Sequence, residues 1–188
     1  MVINEIIKTR PDKNQDGTTA VWKLKHLYEI CEKLKPSLII ESGTFTGNSL
    51  WLFKKQNPTA KIHSYEINYG GLKWKDDTIK YHNYDIEIDK GKYTPKGNDL
   101  IYFDDHQNQE KRLIWAYETG FKHVVFDDNV PYSHIEFFGM PPIPTISMLE
   151  TDKKIPDYVD YFEVLEYDGS NPNGRNGGQN YLTYLKIK

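Results

Sequence analysis

Hydrophobic positions recur at three and four along residues 19–34, where Val21, Leu24, Leu27, Cys31 and Leu34 share one face. That period predicts an amphipathic helix, and Pro36 stops it. The pattern then changes to short strand-like segments, of which Leu38-Ile39-Ile40 and Leu100–Phe103 are unbroken apolar runs of the kind buried strands need. Leu38-Ile39-Ile40 is the first, Lys61–Tyr65 the second and Ile79–Tyr84 the third. Leu100–Phe103, His123–Phe126, Tyr161–Tyr167 and Tyr181–Ile187 complete seven. Helical stretches lie between them at about Asn48–Lys55 and at Gln107–Thr119, the second with Leu113, Ile114 and Tyr117 on one face and Gly120 as its C-cap. Gly70 and Gly71 weaken any helix over 68–75, and residues 86–98 read as a loop or a frayed helix. Residues 132–160 are expected to be irregular, broken by Pro141, Pro142, Pro144 and Pro156. Residues 1–18 read as an ordered cap or a loose arm.

Strands that alternate with helices predict right-handed βαβ units and a mainly parallel sheet. The last two strands are joined by the Gly/Asn-rich turn 169–180 without a helix, so they must be antiparallel. The expectation is an α/β fold: a Rossmann-like three-layer sandwich around a mostly parallel seven-stranded sheet with an antiparallel last strand. A chain of 188 residues fits one such domain, 1–188. An exposed last strand would offer an edge for a homodimer, though nothing in its pattern demands one.

The first strand runs straight into the richest stretch, L-I-I-E-S-G-T-F-T-G-N-S (Leu38–Ser49). Strand, glycine turn and helix are how open α/β sheets build nucleotide sites at the carboxyl ends of their strands. The spacing is E-x-G-x-x-x-G, neither the dinucleotide fingerprint nor a phosphate loop. An acid before the first glycine suits a ligand with a cationic amino-acid head and a ribose better than a pyrophosphate.

Three later strands also end in acids. Glu66 ends the second, where an acid in nucleotide-binding sheets accepts hydrogen bonds from ribose hydroxyls. Asp104-Asp105-His106 ends the fourth and Asp127-Asp128-Asn129 the fifth. Either pair alone is adequately explained as helix N-caps. Two clusters on strands flanking one helix would repel unless a cation binds, and their oxygen donors suit Mg²⁺, Mn²⁺ or Ca²⁺.

Composition narrows the partners. The net charge of −3 sets up no field for nucleic acid, and no apolar run approaches membrane-spanning length. A single cysteine, Cys31, excludes an internal disulfide and suits a reducing, cytoplasmic setting. The first ten residues carry no apolar core or cleavage site of a signal peptide.

Taken together, these motifs resemble the class I S-adenosylmethionine (SAM)-dependent methyltransferases. Within them they are most similar to the metal-dependent O-methyltransferases of the catechol O-methyltransferase and macrocin-type sugar branches. The resemblance covers Lys35–Ser49, Lys61–Asn68, Leu100–His106 and Val124–Val130, about half the chain and in order. It implies that Glu41, Gly43, Thr44, Phe45, Gly47 and Ser49 shape the methionine pocket, that Glu66 holds the ribose, and that Asp85 or its neighbours lie near the adenine. It implies that Asp104 borders the cofactor and binds a divalent metal, Mg or Mn, with Asp128 and Asn129, or with Asp127 in the other register of D-D-N. The metal would lower the pKa of an acceptor hydroxyl and place it against the sulfonium methyl. His106 is the first candidate for the base and Asp105 the second. The catechol branch has a lysine three residues after the metal-binding Asp; Gln107 stands there instead, which argues against a catechol-like acceptor.

For the acceptor, Tyr69, Trp74, Tyr132, His134, Phe137 and Phe138 are expected at the pocket mouth, with Met140–Pro144 as a lid. A chain of this size leaves the cleft open, which favours a sugar or glycan hydroxyl over an enclosed aryl compound. Two further readings share the fold: a cephalosporin-hydroxylase-like oxidation, for which no 2-His-1-carboxylate set assembles from these motifs, and a SAM-binding module without turnover.

Overall fold

The computed structural model describes residues 3–13, 21–132, 144–165 and 182–188. Helix α1 (Ile3–Lys8) buries Ile6 and Ile7, so residues 3–13 form an ordered cap rather than a loose arm. Its trailing residues dock on the body through Asp12, whose N–H donates to Asn48 Oδ1 at 3.0 Å. Next come α2 (Val21–Leu34), β1 (Leu38–Ser42), α3 (Asn48–Gln56), β2 (Lys61–Tyr65) and β3 (Lys80–His82). The chain continues through β4 (Leu100–Phe103), α4 (Gln109–Thr119), β5 (His123–Phe126), α5 (Ile146–Thr151), β6 (Val159–Leu165) and β7 (Leu182–Ile187).

The seven strands form one sheet in the order β3-β2-β1-β4-β5-β7-β6. The first five run parallel, and β7 is antiparallel to both β5 and β6. Each central strand presents alternate residues to two cores. Ile39, Leu100, Tyr102 and Val125 face α2 and α3, whereas Ile40, Ile101, Phe103, Val124 and Phe126 face α4 and α5. The apolar runs with no polar alternation follow from this burial on both faces.

Four expectations are corrected. The third strand is only Lys80–His82, because it lies at the sheet edge and pairs with β2 alone. The last strand is not an exposed edge: β7 is flanked on both sides, and β6 takes the edge. A helix, α5, lies within the span expected to be irregular; Thr145 caps it, and its six residues are too few to display a helical period beside the prolines. Helix α4 starts two residues late, at its Asn108 cap. It buries Arg112, Leu113, Trp115 and Ala116, whereas Ile114 is exposed and Tyr117 lies outside, stacked on Tyr158 at 4.1 Å between ring centroids. The turn 169–180, Tyr181, His134, Phe137, Phe138 and residues 140–143 lie outside the described residues. Among the described residues, no helix is long and apolar enough to cross a membrane.

Candidate active site

Beyond β1 the chain goes first to β2 on one side and later to β4 on the other, so the strand order reverses between β1 and β4. In open α/β sheets a cleft forms at that reversal, at the carboxyl ends of the strands. The ladder carries the acidic residues into it in a row. Gly43 N–H donates to Tyr65 O at 2.8 Å, Glu66 N–H to His82 O at 3.0 Å, Asp104 N–H to Ser42 O at 2.7 Å and Asp127 N–H to Phe103 O at 2.8 Å. A cavity of about 480 Å³ opens there, lined by Gly43, Phe45, Glu66, Asp85, Asp104 and His106 among others. That volume is within the usual range for small-ligand sites.

Gly43 makes the close approach possible. Its φ is +88°, and a Cβ placed on it would lie 2.1 Å from the Asp104 carbonyl oxygen. The turn beyond it is pinned by Glu66, whose Oε2 accepts from Thr44 N–H at 3.0 Å and Phe45 N–H at 3.1 Å, and whose Oε1 accepts from Asn68 N–H at 3.0 Å. A carboxylate offers about four acceptor positions, so this one retains capacity for a ligand hydroxyl. Phe45 stands at the cavity wall with a φ of +44°.

Glu41, Thr44, Gly47 and Ser49 are not cavity-lining; they build the turn from beneath. Gly47 heads α3 with its Cα against Leu72. Glu41 is fully buried and accepts from Thr44 Oγ1 at 2.8 Å, and its Oε1 has no hydrogen-bond partner. Burial lifts its pKa to about 7, against hydrogen bonds from Ser49 and Thr44 that favour the charge.

On the far wall, Arg112 of α4 ties two acids together. Its guanidinium pairs with both oxygens of Asp85, at 3.0 and 2.7 Å, and its Nε donates to Asp105 Oδ2 at 2.8 Å. Burial works against the Asp85 charge, but Arg112 holds its pKa below the ordinary value. Asp105 also accepts from Ser42 Oγ at 2.6 Å. Asp105 is thus held in an ion pair, while burial raises its pKa against the pull of Arg112; both Asp85 and Asp105 line the cavity.

Asp104, His106 and Asp128 meet at the other end. His106 Nε2 lies 2.6 Å from Asp128 Oδ2 and 3.9 Å from Asp104 Oδ1. One donor atom from each of the three falls within 4.8 Å of the others. His106 and Asp128 both hold left-handed backbone, with φ of +54° and +51°. Such conformations are costly for non-glycine residues and collect at functional sites. Burial and the nearby Asp127 and Asp128 push the Asp104 pKa well up, and the hydrogen bond to Asp128 raises that of His106.

The other two residues expected at a metal have different partners. Asp127 is buried and pairs with Lys23 of α2, and its Oδ2 accepts from Tyr102 Oη at 2.9 Å. Asn129 Oδ1 accepts from Ser147 N–H at 2.7 Å, and its amide nitrogen donates to Thr183. Lys23 was not legible as a site residue. Its ammonium lies 3.6 Å from Asp128; burial opposes its charge, but Asp127, Asp128 and Asp104 outweigh that and keep it protonated. One signal existed: Lys23 stands four residues before Leu27, on the apolar stripe of α2, where a charge needs a buried partner. Arg112, on the buried face of α4, carried the same kind of signal.

Among the described residues, the aromatics at the cavity are Phe45, Tyr65 and Tyr84, and the expected Tyr69, Trp74 and Tyr132 are not among its lining residues. Tyr69 Oη bonds to Ser64 O at 2.7 Å, Trp74 packs against the core, and Tyr132 Oη bonds to Asp152.

Solved structures share this arrangement of elements. The chain is similar to the O-methyltransferase TomG from Streptomyces achromogenes, involved in tomaymycin synthesis and solved in complex with SAM. The two are 15% identical, the match covers 92% of this chain and 83% of that one, and the TM-score is 0.66. It is similar to an O-methyltransferase from Bacillus cereus in complex with SAH (15% identity, 99% and 90% covered, TM-score 0.60). It also matches cmcI in a Mg-SAM form (18% identity, 63% and 58% covered, TM-score 0.51), so the match spans little over half of that chain. At these identities the likeness is one of fold: the chain has the class I methyltransferase fold. No protein-family model matches the sequence, and no curated protein does.

Proposed function

We propose that the chain is a SAM-dependent O-methyltransferase that acts on a sugar or glycan hydroxyl, with a divalent cation at the Asp104–Asp128 cluster. The observation that carries this reading is the convergence of three parts on one cavity: the Gly43 close approach, the Glu66 carboxylate, and Asp104 with His106 from the acidic cluster. SAM brings a methyl on a sulfonium, which needs an aligned acceptor more than it needs activation. Gly43 lets the turn backbone close on such a ligand, Glu66 offers its remaining acceptor capacity to a ribose hydroxyl, and the Arg112–Asp85 pair keeps the opposite wall rigid.

The donor set supports a cation. Without an ion, Asp104, Asp127 and Asp128 are balanced by the buried Lys23 ammonium, by the His106 imidazole against Asp128 and by an Asp104 carboxyl that burial and its neighbours push toward the neutral form; a divalent ion would let all three acids carry their charge. Asp104 and Asp128 would hold the ion, which would lower the pKa of an acceptor hydroxyl bound there. Asp104 belongs to both halves of the site, because its main chain abuts Gly43 and its side chain joins the cluster. The exposed Phe45 and Ile67 at the cavity rim offer an apolar platform on which a sugar face could stack, and the open cleft expected of a chain this size favours a sugar over an aryl acceptor.

Calorimetric titration with S-adenosylhomocysteine (SAH), with Mg²⁺ or Mn²⁺ and again with excess chelator, tests the reading. Binding is expected in all cases, because the cation serves the acceptor. Glu66→Ala should weaken it by about tenfold or more, the loss of a charge-assisted hydrogen bond. Unchanged affinity in that variant would remove the ribose role, and no SAH binding to the unaltered protein would end the methyltransferase reading.

A further inference from the structure

We propose that His106 is a ligand of the cation rather than a base, so that the site is a two-carboxylate, one-imidazole set that prefers a borderline transition-metal ion such as Co²⁺ or Zn²⁺ over Mg²⁺. The inference rests on the reading above that a divalent cation binds this cluster.

The resemblance in sequence implied an all-oxygen set drawn from Asp104, Asp127, Asp128 and Asn129. The structure engages two of these elsewhere. The Asp127 carboxylate is held by Lys23 and Tyr102, both buried. The Asn129 side chain is buried and uses its oxygen on Ser147 N–H and its nitrogen on Thr183. Freeing either would orphan a buried polar partner, at a cost that nothing nearby offsets. The atoms that remain together belong to Asp104, Asp128 and His106.

Geometry and chemistry then agree on His106. Its Nε2 lies 2.6 Å from Asp128 Oδ2 and 3.9 Å from Asp104 Oδ1, so the direct contact to Asp128 would be exchanged for coordination to an ion shared by all three. A base for the acceptor would instead need its lone pair directed at the acceptor. An imidazole nitrogen is a softer donor than water or carboxylate. It suits Zn, Fe, Co and Ni, whereas all-oxygen sets suit Mg and Ca. The residue is half-exposed and lies three residues past the end of β4, so it can adjust to an ion without disturbing the core.

The test uses the full chain stripped with chelator, then titrated calorimetrically with Co²⁺ and with Mg²⁺. His106→Asn is the main variant, because asparagine tolerates the left-handed backbone at this position and replaces the ring nitrogen with an amide oxygen. His106→Ala is the second. The unaltered protein should bind Co²⁺ more tightly than Mg²⁺. His106→Asn should lose about tenfold or more in Co²⁺ affinity and change little toward Mg²⁺. Proton spectra of the Co²⁺ form should show a paramagnetically shifted imidazole N–H that both variants lack. Equal weakening of the two metals, unchanged Co²⁺ affinity, or no metal binding would each overturn the assignment. SAH titration in chelator separates this from the wider reading: if SAH binds and the metals bind but His106→Asn leaves Co²⁺ affinity unchanged, only the assignment of His106 fails, whereas SAH binding with no metal binding removes the cation and leaves the cofactor reading standing.

Discussion

Lys23→Met removes the only ammonium placed against the buried acid Asp127 among the described residues. The lysine side chain is 9% exposed and the aspartate 2%. Removing one partner of a buried pair costs about 3–5 kcal/mol, because the remaining charge has lost its counter-ion away from water. Methionine restores most of the packing of the lysine stem, so the loss is electrostatic rather than a cavity. In a domain of this size each kcal/mol lowers Tm by about 2–4 °C, which predicts a fall of about 6–20 °C. Tyr102 still donates to Asp127 at 2.9 Å, which places the result toward the lower end. The assay is thermal unfolding by circular dichroism, in chelator near neutral pH, of the parent, Lys23→Met, Asp127→Asn and the double variant. Asp127→Asn alone should cost less, because the ammonium keeps Asp128 at 3.6 Å. The double variant should be more stable than Lys23→Met, since no carboxylate is then orphaned. A Tm for Lys23→Met within about 2 °C of the parent, or single losses that simply add in the double variant, would refute the argument.

Two other perturbations read the turn itself. Glu41 holds its proton up to about pH 7 in the folded state but only to about 4.5 when unfolded. Its contribution is therefore full below about pH 4.5 and is lost as pH rises through 7, to a total of about 3 kcal/mol. Denaturant titrations across pH 4–8 should show the parent losing that much relative to Glu41→Gln, and parallel curves would contradict the burial argument. Gly43→Ala would place a methyl 2.1 Å from the Asp104 carbonyl oxygen on a backbone at φ +88°. Strain and overpacking together predict a loss of about 2–4 kcal/mol and of SAH binding, measured by unfolding and calorimetry; a variant with normal stability and binding would mean the two strand ends are not held together as described.

The sequence by itself determined the architecture. Unbroken apolar runs such as Leu38-Ile39-Ile40 and Leu100–Phe103 had to be buried on both faces, so helices had to cover both sides of the sheet. The glycine turn and the acids after each strand then had to fall along one edge, because parallel strands end on the same side. What escaped the sequence depends on distance across the fold. Glu41, in β1, and Ser49, in the first turn of α3, sit beneath the cavity rather than in it: the pleat of β1 turns Glu41 away from it, and Ser49 hydrogen-bonds that buried carboxylate. Which of Asp104, Asp105, Asp127 and Asp128 remains available to a ligand depends on Arg112 and Lys23, separated from them in the chain by helical turns or by about a hundred residues. Adjacent acids look alike in a linear string. Only the tertiary structure decides which are neutralised from neighbouring helices and which are left facing the cavity, because a buried charge takes whatever partner the packing brings within hydrogen-bonding reach.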